Sequence, residues 1–216
     1  MEQCSKILFL MVVIFIRKIS SHGVMLEPPS RSALWKFYPV DNVRVVPNYS
    51  FNQLICGGFA KQWKKFGGKC GLCGDPFDAP QPRPNENTGK YGKFGTVRNY
   101  SPGSVINVKI ELKITHKGKF RYSICDLRNS SKPESGEKCF RPLKLADGKS
   151  FHKVGPAPPT NIFNAVKLPE GLKCRRCVLR WEYLTGTRKG KCANGKRKVG
   201  CGPQESFRNC ADISIQ

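Results

Sequence analysis

The stretch SVINVKIELKIT, residues 104–115, alternates apolar Val105, Val108, Ile110, Leu112 and Ile114 with polar partners, apart from one slip near Ile106. A period of two sends successive side chains to opposite faces, so this is a strand buried on one side. Shorter runs of the same kind follow: Lys119–Cys125 (KFRYSIC), Asn161–Leu168 (NIFNAVKL), Cys177–Tyr183 (CVLRWEY) and Ala211–Ile215 (ADISI). Between them lie Lys117-Gly118, Asp147-Gly148, Pro158-Pro159 and Asn194-Gly195, all turn signals. Several short strands without helical periodicity predict an all-β fold, an antiparallel β-sandwich. Residues 22–95 are rich in Gly, Pro and Asn and read as long loops with a helical turn or two, laid on that sandwich and stapled by cysteines.

The N-terminus reads differently. Lys6 precedes the apolar run Ile7–Ile16, and Arg17-Lys18 and Ser20-Ser21 follow it. A charged start, a short apolar core and small residues before a cut describe a secretory signal peptide over residues 1–21, too short to span a membrane. Cleavage after Ser21 would make His22 the N-terminus and leave one domain over residues 22–216. Cys4 would leave with the signal, and ten cysteines would remain: Cys56, Cys70, Cys73, Cys125, Cys139, Cys174, Cys177, Cys192, Cys201 and Cys210. An even number in an exported chain predicts disulfide bonds, with the pairing open. The rival reading takes Cys70-Gly-Leu-Cys73 and Cys174-Arg-Arg-Cys177 as zinc knuckles. Sequons at Asn48, Asn99 and Asn129 fit a secreted, extracellular glycoprotein.

The formal net charge is +23. Such a field attracts polyanions in general. The basic residues concentrate at Lys61–Lys69, Lys173–Arg176 and Arg188–Lys198. No nucleic-acid-binding motif accompanies them, so no specific nucleic-acid partner is expected. Membrane insertion is not expected either, and the chain reads as a monomer.

Only three histidines occur: His22, His116 and His152. At a free N-terminus His22 would offer two neighbouring donors, the α-amine and Nδ1. His116 stands where the 104–115 strand meets the Lys117-Gly118 turn, so its ring lies at one end of the sandwich. Two imidazoles plus an amine make a three-nitrogen set suited to Cu(II). His152 reads as a surface residue.

Taken in order, the motifs His22-Gly-Val-Met-Leu-Glu-Pro-Pro-Ser-Arg-Ser-Ala-Leu-Trp35, Cys56-Gly-Gly-Phe59, Gly68-Lys-Cys-Gly-Leu-Cys-Gly-Asp75, His116-Lys-Gly118, Leu143-Lys-Leu-Ala-Asp-Gly148 and Gly200-Cys-Gly-Pro-Gln-Glu-Ser-Phe-Arg-Asn-Cys-Ala-Asp212 resemble the lytic polysaccharide monooxygenases of animals. This is auxiliary activity family fifteen, also described as a type-4 chitin-binding domain. The resemblance implies an immunoglobulin- or fibronectin-like β-sandwich with a flat copper-bearing face. It implies one copper ion held by His22 and His116, with Phe207 on the axial side and Glu205 beside the metal. The implied reaction is oxidative cleavage of a β-1,4-linked polysaccharide, chitin first and cellulose second, using an external reductant and O2 or H2O2.

The chain departs from the family pattern in three places. Lys113-Ile-Thr-His116 replaces Thr-Ala-Asn-His, Arg83-Pro-Asn85 stands where Pro-His is common, and Arg188-Lys189 replaces an aromatic before Gly190. These departures motivate an alternative, a non-catalytic polysaccharide-binding protein of the same fold. A third reading, drawn from the charge, is a basic extracellular protein that binds acidic glycans.

Overall fold

The structure, a computed structural model, describes residues 22–39, 45–158 and 160–216. The signal-peptide reading of residues 1–21 lies outside these.

Eleven strands are formed among the described residues: β1 (Gly23–Glu27), β2 (Arg98–Tyr100), β3 (Val105–Leu112), β4 (Gly118–Asp126), β5 (Arg141–Leu145), β6 (His152–Val154), β7 (Thr160–Lys167), β8 (Cys174–Leu184), β9 (Lys189–Lys191), β10 (Arg197–Val199) and β11 (Ser206–Ile215). The main ladder runs β1-β3-β7-β5-β4-β8-β11-β2, with β6 also on β4, and β9 and β10 form a separate hairpin. Strand β5 pairs with both β4 and β7, so it joins the two layers of a sandwich. Every pair is antiparallel except β2 with β11, which is parallel.

The alternation of β3 is as expected, with one correction. Ile106, Val108, Ile110 and Leu112 form the inward row, while Val105 is 50% exposed. The slip is Val105 turning outward, and Ile106 belongs to the core. Facing this row are Phe120, Leu179, Trp181, Tyr183, Phe207 and Ile213, all fully buried. Trp181 and Tyr183 both meet Phe120 edge-on, at centroid distances of 5.2 and 4.9 Å.

Strands β8 and β11 are buried on both faces because residues of the first third cover their outer side. Leu72 and Cys73 pack there against Cys125, Leu127, Phe140, Val178 and Cys210. A single disulfide, Cys73–Cys210, pins this loop layer to β11 across 137 residues of chain. Four more join Cys56 to Cys70, Cys125 to Cys139, Cys174 to Cys177 and Cys192 to Cys201. The zinc-knuckle reading is thereby overturned, since a sulfur in a disulfide is no longer a thiolate. The same holds where Asp126 lies beside Cys174 and Cys177. The helical turns expected in this region are a 3-10 helix over Arg31–Lys36 and a π-helix over Ala60–Lys65.

Under the loop layer lies a buried charge cluster. Arg31 donates from Nε and Nη2 to the two carboxylate oxygens of Asp212 at 2.8 and 2.7 Å. Its Nη1 donates to Glu134 at 2.6 Å and to the Asn85 carbonyl at 2.9 Å. Arg176 adds a further bond to Asp212 at 3.1 Å. Burial works against the charged guanidinium of Arg31, but Asp212 and Glu134 outweigh it and hold its pKa above the usual value. Burial likewise pushes the Asp212 carboxyl up, and Arg31 and Arg176 more than reverse this, so its pKa lies below the usual value.

Of the three sequons, Asn48 is only 7% exposed and its side chain accepts from the Ser50 amide, whereas Asn99 and Asn129 lie at the surface. No helix among the described residues is long and apolar enough to cross a membrane.

Removing one partner from a buried ion network strands the others. Arg31→Met is therefore expected to lower the unfolding free energy by about 3–5 kcal/mol in a denaturant titration. Because Asp212 is depressed when folded, its contribution is full above the unfolded carboxylate value of about 4 and fades as pH falls through the folded value. Parent stability should drop on acidification below about pH 4, and Arg31→Met should lose much of that dependence. An Arg31→Met protein as stable as the parent would remove the cluster from any structural role.

Candidate functional site

His22 immediately precedes β1, and Gly23 is registered against Leu112 of β3. The His22 carbonyl accepts from the Lys113 amide at 2.9 Å, and the Gly23 amide donates to Asn52 O at 3.0 Å. A side chain at Gly23 would put a Cβ 2.8 Å from Leu112 Cδ2 and 3.2 Å from the Trp181 ring. Any larger residue would have to push the buried Leu112 and Trp181 side chains aside, so packing favours glycine after His22.

His116 lies between β3 and β4, three residues beyond the Lys113 that pairs with His22. The two histidines therefore occupy the same end of β3. The turn after His116 is tight: Lys117 has φ +49° and Gly118 φ +102°, and a Cβ at Gly118 would collide with the Leu184 carbonyl. One hydroxyl serves both sides of this turn. Tyr183 Oη accepts from the His116 amide at 2.8 Å and donates to the Lys117 carbonyl at 2.7 Å. The His116 carbonyl accepts from the Gly186 amide at 2.9 Å.

The His116 ring is half-buried, and its Nε2 is buried with no hydrogen-bond partner among the described residues. In the tautomer that carries its proton on Nδ1, such a nitrogen offers its lone pair to a ligand. Burial pushes the imidazole pKa down, against a smaller upward pull from Glu205. The neutral ring is the form that ligates a metal. The donor set thus fits a soft-to-borderline divalent ion such as copper, with His116 Nε2 as one ligand. In the uncut chain the His22 nitrogen is an ordinary amide, so the second pair of donors requires cleavage at that bond.

The remaining sequence candidates take distinct places. Phe207 is fully buried and stacks on Tyr183 at 5.7 Å, two strands deep, so it reaches His116 through Tyr183. Glu205 is half-buried, and its carbonyl accepts from both the amide and the hydroxyl of Thr185 at 3.1 Å. His152 begins β6, packs 5.8 Å from Phe120 and is not grouped with the other two histidines. Ile114 is half-buried in the short link from β3 to His116. Arg83 lies in the loop layer, 6% exposed, bonded to Glu86 at 2.8 Å and to the Phe77 carbonyl. Arg188 places its guanidinium 3.6 Å from the centroid of the Phe59 ring.

Two further residues of this region carry little signal in the sequence. Tyr183 ends a run whose aromatic tip needs a polar partner, which is the only signal it gives. Tyr49 is 81% exposed, lies edge-on to Trp35 at 5.5 Å and belongs to the loop whose Asn52 holds Gly23. A lone tyrosine in a loop carries no periodic signal.

The lytic polysaccharide mono-oxygenase family model, described as cellulose-degrading, matches residues 22–213. The chain is similar to a solved lytic polysaccharide monooxygenase, AA15 from Thermobia domestica in the Cu(I) state. The two share 43% identity over 90% of this chain and 98% of that one, with a TM-score of 0.84. A more distant match is a Cellvibrio japonicus lytic polysaccharide monooxygenase described as important for chitin utilisation. It has 17% identity and a TM-score of 0.49, over 89% of this chain and 99% of that one. No curated protein matches the chain.

Tyr183→Phe leaves the His116 amide and the Lys117 carbonyl without their shared partner. Expected is a loss of about 1–3 kcal/mol in stability with the core packing retained, read by thermal unfolding and by the His116 ring signals in NMR. Unchanged His116 signals would show that the hydroxyl does not position the ring.

Proposed function

We propose, from the premise that this chain belongs to the lytic polysaccharide mono-oxygenase family, that it is a secreted enzyme whose copper site is made by His22 and His116 and whose substrate is chitin. It is a copper-dependent monooxygenase that cleaves polysaccharide oxidatively. The observation that carries the site is the buried His116 Nε2 without a partner, at the strand end where His22 is tethered.

When bound, copper supplies the redox chemistry, with O2 or H2O2 as co-substrate and electrons from an external reductant. The residues supply position and protection. Removal of residues 1–21 frees the His22 amine next to its Nδ1. The Lys113 amide and Asn52 carbonyl fix the backbone on either side of the His22–Gly23 bond. Tyr183 fixes the His116 backbone, and burial favours its neutral ring. Phe207, apolar and fully buried, stacks on Tyr183 and so backs the residue that holds the His116 turn. Among the described residues, Glu205 is the carboxylate whose field is felt at His116, which suits it to hold a proton or polarise a small molecule there.

A site at the end of a sandwich suits a polymer that cannot enter a pocket. Tyr49, exposed in the loop whose Asn52 carbonyl holds Gly23, supplies a ring for stacking on a sugar face, while Arg188 stands where the family usually has an aromatic. Chitin is favoured over cellulose by the animal family that the sequence resembles, and the domain acts as a monomer.

Mass spectrometry of products from copper-loaded protein beginning at His22, with ascorbate, on chitin and cellulose side by side, tests this reading. Oxidised chito-oligosaccharides are expected, with His22→Ala, His116→Ala or one extra residue before His22 abolishing them. Products from cellulose alone would move the substrate. Copper bound with no oxidised product from either polymer would instead favour a polysaccharide-binding role. Tyr49→Ala is expected to weaken chitin binding several-fold, on the order of 1 kcal/mol, without altering copper affinity.

A further inference from the structure

The β9–β10 hairpin carries six basic residues, Arg188, Lys189, Lys191, Lys196, Arg197 and Lys198, and no acidic residue occurs between Thr185 and Gln204. Arg197 is registered directly opposite Lys191. Like charges facing each other across a strand pair repel and destabilise it. No ion pair among the described residues relieves them, and both are exposed. The Cys192–Cys201 disulfide closes the hairpin covalently. Gln204 clamps its base, accepting from the Arg188 amide at 3.0 Å and donating to the Arg188 and Cys201 carbonyls. The repulsion is therefore tolerated by covalent and hydrogen-bonded restraint.

A second such pair occurs on β4 and β6. Lys119 of β4 is registered opposite Lys153 of β6, again with no ion-pair partner among the described residues. Beside this second pair lies a cleft of about 680 Å³, lined by Lys119, Lys153, Trp63, Phe151, Leu184 and, from the base of the hairpin, Gly200 and Gly202; Gly202 in turn lies against the Lys191 backbone. Gly118 and Gly186, which also line it, are the residues that hold the His116 turn. One unneutralised cation pair thus lines an apolar-walled cleft next to the His116 turn, and the hairpin that carries the other rises from its edge at Gly200 and Gly202.

We propose that this cleft binds an acidic polysaccharide chain, its sugar faces on Phe151 and Trp63 and its sulfate or carboxylate groups at the Lys191–Arg197 and Lys119–Lys153 pairs. This rests on the polysaccharide-directed reading of the adjoining site, which favours a glycan over a nucleic acid of similar charge. The cationic pairs supply the attraction, and the aromatic walls accept a ring that phosphate contacts alone would not require.

Binding of processed, copper-loaded protein to heparin, with chitohexaose and poly(dT) as comparison ligands, tests the proposal. The variants are K191Q/R197Q, K119Q/K153Q and, at the opposite edge of the molecule, K173Q/R175Q. Expected is a loss of about tenfold in heparin affinity for each cleft variant and about twofold or less for K173Q/R175Q, as local contacts exceed the general field. K191Q/R197Q should also melt no lower than the parent, since a repulsion has been removed. Equal losses in all three variants would reduce the effect to net charge and overturn the site. Poly(dT) binding as tightly as heparin, with the same sensitivity, would assign the cleft to nucleic acid instead. Copper affinity and oxidised chitin products, measured on the same proteins, report separately on the His22–His116 reading.

Discussion

The buried guanidinium of Arg31 is the interaction on which the arrangement of this molecule depends. It lies in the short helix after β1, yet its partners come from β11 and from two distant loops, through Asp212, Glu134 and the Asn85 carbonyl. A charge placed there has no water to fall back on, so the loops must close around it in one geometry or leave it unpaired. The Cys73–Cys210 bridge works at the same interface by restricting the unfolded chain. Together they turn a Gly- and Pro-rich segment with little secondary structure into a fixed layer. That layer covers β8 and β11, so these strands are buried on both sides.

The end of the sandwich that carries His22 and His116 is built from the same strands. Tyr183 is a core residue of β8 that reaches past the core with its hydroxyl, and the His116 turn is fastened to that atom. Its ring stacks on Phe207 of β11 and meets Phe120 of β4. A shift of β8 against its neighbours would therefore move the His116 turn. His22 depends on the layers in another way: Gly23 lies against Leu112 and Trp181. At Gly118 a side chain would collide with the Leu184 backbone at a positive φ, whereas at Gly23 it would press on core side chains, so the requirement for glycine is stricter beside His116.

What could be read from the sequence follows from which faces are buried. Strand β3 has one wet face, so its alternation is visible, and only Val105 and Ile106 needed exchange. Strands β8 and β11 have no wet face along most of their length, so their boundaries were drawn short at Cys177 and Ala211. Strand β1 holds Gly23 and ends at Pro28, which disguised it as loop. The disulfide partners depend on loop paths that no local pattern encodes. His22 and His116 were legible because histidine is scarce and each stands beside its glycine. Tyr183 was not, because a core tyrosine shows its purpose only when the atom beyond its ring is known.

A chain with formal charge +23 is an unfavourable host for a cation, and the architecture answers this by distance and by sign. Screening reduces the influence of exposed charges beyond roughly 8–10 Å, so residues such as Lys173 and Arg175 at the far edge weigh little at His116. Near the site the field is set by fewer groups. Glu205 is the charged residue whose pull on His116 is felt, and its sign favours a cation. The unneutralised pairs at Lys191–Arg197 and Lys119–Lys153 stand on the flank, where they draw in an anion without sharing the coordination space. Placing cations around a metal site while keeping one carboxylate close to it lets a single face hold a positive ion and attract a negatively charged polymer.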